Sequence, residues 1–325
     1  MMNMVKKILK KIESYGTLVM IKHTIFSLSF GLIALLLATG GQLIGIMDIF
    51  LILVALLAAR TGANAINRVI DADIDKANPR TATRQIPMGK MSKKEATLFS
   101  IFCFAIMVVA AWFINPLVAK LSPVALFFMW GYSFTKRFTW ACHLILGAVC
   151  GIAPMGAWLA VTGDFGGLSP VFAYLLRLNV VDSWHAFLYA LRFNSAIFIP
   201  VSLFIANATW VAGFDIIYAT QDFDHDRTHG INSIPAKFGL KNALFVSTAL
   251  HVVAVVALVF VGILSALLSW VYFTALIIVA SLLMYEHAIV KPTNLTRVTI
   301  ASYHINEIIG IVLLCFSLFD ILILG

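Results

Sequence analysis

Two short stretches of the sequence hold six of its 15 acidic residues. Each stretch follows an apolar run of helical length, and carboxylates at the end of a membrane helix are costly and usually functional. Clustering adds repulsion between like charges, which a bound cation would relieve. The two stretches are therefore candidate cation sites. Their acidic residues are Asp71, Asp73 and Asp75 in the first, and Asp222, Asp224 and Asp226 in the second.

Helical spacing separates the acidic residues of the first stretch into two groups. Asn67, Asp71 and Asp75 are four residues apart, so on a helix they lie one above the other on one face. Asp73 falls on the other side of the helix, where we expect it to face water. The spacing predicts that the first three side chains act together.

The second stretch repeats this spacing. Asp222 and Asp226 share one helical face, which Tyr218 and, a turn further, Asp215 extend backward along the preceding apolar run. Asp224 is not part of this face. Two such faces can form one site only if their helices end at the same side of the membrane.

Four carboxylates and one amide that face each other would make an all-oxygen site. Oxygen ligands suit Mg²⁺, which typically bridges carboxylates to substrate phosphates. No His or Cys joins the pattern at ligand spacing, which argues against zinc or copper. The alternative is a solvated loop with helix-capping aspartates, which does not explain two aligned pairs. The predicted metal ligands are Asn67, Asp71, Asp75, Asp222 and Asp226.

Basic residues lie close to both stretches. Arg84, Lys136 and Arg137 fall in loops where Arg or Lys could bind phosphate oxygens. Lys22 and His23 begin the first apolar run, and Lys22 is a further candidate for a substrate contact. The alternative roles are setting the topology of the loops and anchoring the first helix by snorkelling.

The composition indicates that lipid surrounds these residues. Of the 325 residues, 61% are hydrophobic and 12% are charged, whereas soluble domains carry about 25% charged residues. Basic residues fall at the edges of apolar runs, so the net charge of +8 does not indicate nucleic acid binding. We predict an all-α membrane protein with nine transmembrane helices of about 20 residues each. The predicted spans are 18–38, 46–67, 97–114, 119–135, 140–162, 195–217, 243–264, 267–286 and 302–324.

The distribution of charge orients these spans. With the N-terminus in the cytoplasm, all of the 23 Lys and Arg residues except Lys120, Arg177 and Arg192 fall on the cytoplasmic side or in the cytoplasmic end of a span. The C-terminus then lies outside. Both aspartate stretches fall on the cytoplasmic side, as a shared site requires.

Three segments describe the organisation of the chain. Residues 1–16 are basic and mildly amphipathic, which predicts a helix lying on the anionic inner leaflet of the lipid bilayer. Residues 17–325 are predicted to form a single transmembrane domain. Within it, residues 163–194 form a predicted external insertion with interfacial segments.

Four motifs resemble the UbiA superfamily of intramembrane prenyltransferases, over roughly 18–325. They are Asn-x-x-x-Asp-x-x-x-Asp at 67–75, Arg-Thr-Ala-Thr-Arg-Gln-Ile-Pro at 80–87, the stretch at 132–139, and Tyr-Ala-x-x-Asp-x-x-x-Asp at 218–226. Arg68-Val69 stands where Asp-Tyr often occurs, and Arg84-Gln85-Ile86-Pro87 replaces the common Arg-Pro-Leu-Pro. Neither departure removes a predicted metal ligand.

The resemblance implies a nine-helix bundle around a central cavity with a cytoplasmic cap. It also implies that the predicted ligands bind a polyprenyl diphosphate through Mg²⁺. The stretch that begins at Tyr132, and Tyr218 in the last motif, add candidate substrate contacts. Asp71, Asp75, Asp222 and Asp226 would then be catalytic.

The pattern is most similar to that of 4-hydroxybenzoate polyprenyltransferases. It implies an aromatic acid acceptor, either 4-hydroxybenzoate or a naphthoate, in ubiquinone or menaquinone synthesis at a bacterial inner membrane. We expect Asp215 to orient the acceptor or take its ring proton, the alternative being a helix–helix hydrogen bond. Haem, a chlorophyll precursor or a glycerol phosphate lipid are alternative acceptors. A secondary transporter is the alternative of another class, but would place its charges near the bilayer midplane.

Overall fold

The computed structural model describes residues 15–16, 18, 24–42, 44–163 and 198–324. Apart from one isolated β-bridge, every regular element in these ranges is helical. Eight of the described helices are long and apolar enough to cross a membrane. These findings confirm the all-α membrane fold.

Several predictions fall on residues outside the described ranges. The predicted first span is described only as Thr24–Ala38, so the count of nine transmembrane helices stays a prediction. Residues 1–14, Lys22, His23 and residues 164–194 of the external insertion also lie outside the described residues. The cytoplasmic cap likewise stays a prediction.

The described ranges hold eleven α-helices, which we number in chain order. They are α1 Thr24–Ala38, α2 Ile46–Ile70, α3 Ala72–Ala77, α4 Lys93–Ile114, α5 Pro116–Gly131, α6 Cys142–Thr162, α7 Phe198–Ala219, α8 Phe223–His229, α9 Ile234–Leu264, α10 Trp270–Ile289 and α11 Asn306–Phe319.

Local sequence signals explain several helix ends. Asn115 ends α4 and caps α5 by accepting a hydrogen bond from the Val118 amide, and Pro116 follows at the first helical position. Ser233 caps α9 in the same way. Gly230 ends α8 with φ +67°, a left-handed conformation that favours glycine.

The helices pack into a bundle in which α7 makes its largest contacts with α6 and α9, while α2 packs mainly on α4. Helix α1 packs on α6 and α11, and so links the two ends of the described chain. Large apolar side chains cover the outer surface, and Trp112, Phe245 and Trp270 are each more than 70% exposed. Such a surface is stable in contact with lipid tails and not with water.

A buried polar network holds four of the helices together away from this surface. The indole Nε1 of Trp210 donates to Asn306 Oδ1 at 2.6 Å, and Asn306 Nδ2 donates to Glu286 Oε2 at 3.1 Å. Nearby, His251 Nδ1 lies 2.9 Å from His287 Nε2. Polar side chains inside a membrane protein bond to each other in this way because lipid offers them no partner. The network joins α7, α9, α10 and α11.

Candidate active site

Both aspartate stretches lie at a break between two helices. Asp71, with φ −89° and ψ 0°, joins α2 to α3. A 3₁₀ turn over Thr220–Asp222 joins α7 to α8. The predicted helical faces are therefore kinked at the first aspartate of each pair that is predicted to bind metal. The amides of Asp71 and Asp75 still donate to the carbonyls four residues earlier, at 2.9 and 2.8 Å, so the spacing of the first stretch is kept.

A polar cavity of about 280 Å³ lies between the two breaks. Its walls come from α2, α3, α6, α7 and α8, and from the loops that follow α3 and α8. Two 3₁₀ turns, Tyr132–Arg137 and Thr220–Asp222, and the π-helical turn Ile300–Ile305 complete them. Arg137 is not in the lining but contacts it through Asp71. The structure thus brings together nearly all of the predicted site. The predicted residues that line the cavity are Asn67, Asp71, Asp75, Arg84, Tyr132, Lys136, Asp215, Tyr218, Asp222 and Asp226.

Asp71 is held by three side chains and is 3% exposed. Its Oδ2 lies 2.7 Å from Lys136 Nζ and accepts from Asn67 Nδ2 at 3.0 Å. Its Oδ1 accepts from Arg137 Nη1 at 3.2 Å. Two cations that the sequence predicts to bind phosphate therefore neutralise this carboxylate here.

Asp75 forms a similar pair but keeps one oxygen without a bond. Its Oδ1 accepts from Arg84 Nη1 at 2.6 Å. Its Oδ2 is buried and has no hydrogen-bond partner among the described residues. A buried carboxylate oxygen normally has a partner, so this atom is suited to a group that enters the cavity.

Asp222 is paired with Arg80 through both of its oxygens, with Nε donating to Oδ1 at 2.8 Å. Asn78 Nδ2 donates to the same Oδ1 at 2.7 Å. Arg80 also donates to the hydroxyl of Tyr218, and its guanidinium lies 4.7 Å from the centre of that ring. Burial opposes the charge of Arg80, but the hydrogen bonds and electrostatic attraction of Asp222 and Tyr218 together outweigh it and raise the pKa of the guanidinium.

The remaining acidic residues divide as the helical spacing predicts. Asp226 is 7% exposed and accepts a hydrogen bond from Ser233 Oγ at 2.8 Å. Asp224 is exposed. The Asp73 side chain is 86% exposed and bonds to Lys93 Nζ at 2.9 Å, which holds the pKa of its carboxyl below the usual value.

The charges of the cavity suit a metal-bound diphosphate. Carboxylate and amide oxygens are ligands that Mg²⁺ accepts, and the buried Asp75 Oδ2 is available to it. No three His, Cys, Asp or Glu side chains in the described part of the chain stand close enough to enclose one ion. Cationic side chains neutralise Asp71, Asp75 and Asp222 instead. The same cations could bind phosphate oxygens once a metal ion took their place on the carboxylates.

An apolar cavity of about 430 Å³ adjoins the polar one. Asn64, Tyr132 and Leu146 line both cavities. Arg60 lies in the wall of the apolar cavity, on α2, the helix that ends where the first aspartate stretch begins. Arg60, Asn64 and Asn67 are spaced by four and three residues, so one stripe of α2 runs from the apolar cavity to the polar one.

Sequence reasoning did not select several residues of these walls. Arg80 has the same signal as Arg84, namely a basic residue shortly after the first stretch, and could have been chosen with it. Tyr303, in the π-helical turn before α11, and His143, near the start of α6, had no such signal. Tyr303 and His143 reach the cavity only because helices that are far apart in the sequence pack together.

Comparisons with known proteins agree with this fold. The model of the UbiA prenyltransferase family matches residues 27–306. The 4-hydroxybenzoate octaprenyltransferase of Vibrio atlanticus (strain LGP32) is 27% identical over 276 residues, which cover 85% of this chain and 83% of that protein.

Two solved structures have the same fold. The apo structure of a UbiA homologue from Aeropyrum pernix K1 is 30% identical with a TM-score of 0.74, and the match covers 92% of this chain and 98% of that one. The structure of a UbiA homologue from Archaeoglobus fulgidus, bound to DMAPP and Mg²⁺, is 18% identical with a TM-score of 0.60. That match covers 93% of this chain and 99% of the other.

Proposed function

Because the chain belongs to the UbiA prenyltransferase family, we propose that it transfers a polyprenyl group from a polyprenyl diphosphate to an aromatic acid such as 4-hydroxybenzoate. The chain is an integral membrane prenyltransferase. The observation that supports a polyprenyl diphosphate as the donor substrate is the contact between the two cavities at Asn64, Tyr132 and Leu146. One substrate with a polar head and an apolar tail could occupy both.

The diphosphate head fits the polar cavity. Arg80, Arg84, Lys136 and Arg137 supply cationic donors within it or at its edge. As the bond between the allylic carbon and the diphosphate oxygen breaks, negative charge grows on the leaving pyrophosphate, and these donors stabilise it. The four residues would thus move from the carboxylates of the cavity to the phosphate oxygens.

The five predicted ligands would hold Mg²⁺ in the same cavity. When bound, the metal would supply further positive charge against the leaving pyrophosphate. The Mg²⁺-bound homologue from Archaeoglobus fulgidus supports this proposal. The ligands would be Asn67, Asp71, Asp75, Asp222 and Asp226.

The acceptor is proposed to lie where the two cavities meet. Arg60 is seven residues before Asn67 on α2, which corresponds to roughly 10 Å along the helix axis. A carboxylate on Arg60 would therefore place an aromatic ring near Asn64, below the diphosphate. This position of a cation in an apolar wall favours an aromatic acid over an uncharged acceptor.

The proposed reaction forms a bond between the allylic carbon and a ring carbon of the acceptor. The electron pair of the broken carbon–oxygen bond leaves with pyrophosphate. The ring carbon must then lose its proton, and Asp215, which lines the polar cavity below Asp222, is the proposed acceptor of that proton. The apolar side chains of the adjoining cavity would exclude water, which would otherwise trap the allylic cation as an alcohol.

We also propose that this site faces the cytoplasm of a bacterial cell and that the protein resides in the inner membrane. The charge distribution along the sequence supports this orientation. A quinone precursor and a polyprenyl diphosphate would both reach the site from that side.

An acceptor panel tests the proposed function. The purified protein in detergent, with Mg²⁺ and a polyprenyl diphosphate, is expected to prenylate 4-hydroxybenzoate, with the product identified by mass spectrometry. A naphthoate, haem and a glycerol phosphate lipid serve as the competing acceptors. Prenylation of the glycerol phosphate lipid alone, or of haem alone, would contradict the aromatic acid assignment.

Arg60→Ala is expected to raise the KM for 4-hydroxybenzoate by about 10- to 100-fold, because a charge-assisted hydrogen bond to the carboxylate is lost. The KM for the polyprenyl diphosphate should not change. Phenol, which lacks the carboxylate, is the matched control substrate and should lose nothing in the variant. Equal losses with both acceptors would show that Arg60 does not bind the carboxylate.

A further inference from the structure

His143 and Asp215 form a pair at the edge of the polar cavity. His143 Nδ1 lies 2.7 Å from Asp215 Oδ2, although the two residues are 72 positions apart in the sequence. The His143 side chain is 7% exposed, whereas the Asp215 side chain is 25% exposed. Both residues line the cavity. The carboxylate is therefore the accessible member of the pair, and the imidazole lies behind it.

The hydrogen-bond partners of His143 determine the direction of this contact. Asp215 Oδ2 is a carboxylate oxygen and accepts, so the hydrogen must be on His143 Nδ1. His143 Nε2 is buried and has no hydrogen-bond partner in the described part of the chain. The short bond to Asp215 thus helps to orient the ring.

Close packing between α6 and α7 allows the contact between His143 and Asp215 to form. Gly147, one turn after His143 on α6, lies against α7, and a Cβ atom added there would be 2.1 Å from the carbonyl oxygen of Ala208. Glycine allows the two backbones to approach, since any side chain would force them apart. Helices α6 and α7 can then place the imidazole against the carboxylate.

We propose that His143 is a positioning residue for proton removal from the aromatic acceptor, an inference that rests on the proposed function. Its Nδ1–H holds Asp215 Oδ2 and so leaves Oδ1 to face the acceptor. The same hydrogen bond fixes the orientation of the Asp215 carboxylate on α7. The ring proton passes to Asp215 as the ring regains its aromatic electrons, and His143 does not itself touch the acceptor.

The test compares His143→Leu, which removes the donor, with His143→Asn, whose amide can replace Nδ1–H. His143→Leu is expected to lower kcat for prenylation of 4-hydroxybenzoate by about 100-fold, at the low end of what a lost proton acceptor costs. The KM for the polyprenyl diphosphate should stay within twofold. His143→Asn should recover most of the lost activity. His304→Leu, at a histidine whose side chain is 64% exposed, is the matched control and should keep wild-type activity.

Isotope substitution separates positioning from a merely structural role. With 4-hydroxybenzoate deuterated at the two ring carbons beside the hydroxyl, loss of the ring proton should become rate-limiting in His143→Leu. The isotope effect on kcat should then exceed that of the wild type. An unchanged isotope effect, or a His143→Asn variant as slow as His143→Leu, would overturn the inference. A wild-type protein that prenylates no aromatic acid would instead contradict the proposed function, and the inference with it.

Discussion

Asp71→Ala and Asp222→Ala are each expected to abolish Mg²⁺-dependent prenyl transfer while leaving the protein inserted in the membrane. The loss in kcat should be about 1,000-fold or more, because several kcal/mol of stabilisation of the leaving pyrophosphate depend on the metal site. The measurement is transfer of a radiolabelled polyprenyl group to the acceptor across a Mg²⁺ titration.

The surroundings of Asp71 and Asp222 explain why no neighbouring side chain is expected to take over the role of either carboxylate. Asp71 and Asp222 lie in the walls of the same cavity, and each is already in contact with cations there. Without one carboxylate, its cations would remain without a counter-charge, and one side of the proposed metal site would be lost. Added Mg²⁺ could compensate only in part.

Asp73→Ala and Asp224→Ala provide matched controls within the same two stretches. Both side chains are exposed, and Asp73 bonds to Lys93 outside the cavity. Each control should keep at least half of the wild-type kcat and the same dependence on Mg²⁺. Full activity in Asp71→Ala and Asp222→Ala would refute the metal site, whatever the controls did.

The part of the site that could be predicted from sequence follows from helical geometry. A spacing of four residues places Asn67, Asp71 and Asp75 on one face whether the helix is straight or kinked, since the backbone hydrogen bonds persist across the break. The same rule separates the exposed Asp73 from its neighbours. The apolar runs likewise predict the helices, because a membrane leaves the backbone few other ways to satisfy its hydrogen bonds.

The part that could not be predicted depends on contacts between distant helices. His143 reaches Asp215 because α6 and α7 approach closely at Gly147. A single glycine in an apolar run does not indicate which helix will pack against it. In the sequence, Arg60 looks like any basic residue in the second half of a predicted span, and its place in the wall of a cavity becomes visible only in the structure. The helix break at Asp222 cannot be recognised from a Gly or Pro in the sequence. The backbone conformation of Asp222 is one that many residue types can adopt, so the break requires neither.

Asp215→Asn is expected to lower kcat for prenylation of the acceptor by about 100- to 10,000-fold, the range associated with loss of a proton acceptor. An amide of the same shape can still accept the hydrogen bond from His143 but cannot take the ring proton. The KM for the polyprenyl diphosphate should not change, because Asp215 contacts none of the cations that are expected to bind phosphate. The measurement is steady-state transfer to 4-hydroxybenzoate.

The decisive comparison is with the slow hydrolysis of the polyprenyl diphosphate when no acceptor is present. Hydrolysis is expected to require the proposed metal site and release of pyrophosphate, but it needs no removal of a ring proton. Asp215→Asn should therefore keep its hydrolysis within about twofold of the wild type, whereas Asp222→Ala should lose hydrolysis and transfer together. Asp320→Asn is a control for general loss of stability, because Asp320 accepts from the amides of Ser269 and Tyr272 outside the cavity. Asp320→Asn should leave the ratio of transfer to hydrolysis at its wild-type value. If Asp215→Asn also kept the wild-type ratio, Asp215 would serve only to join two helices.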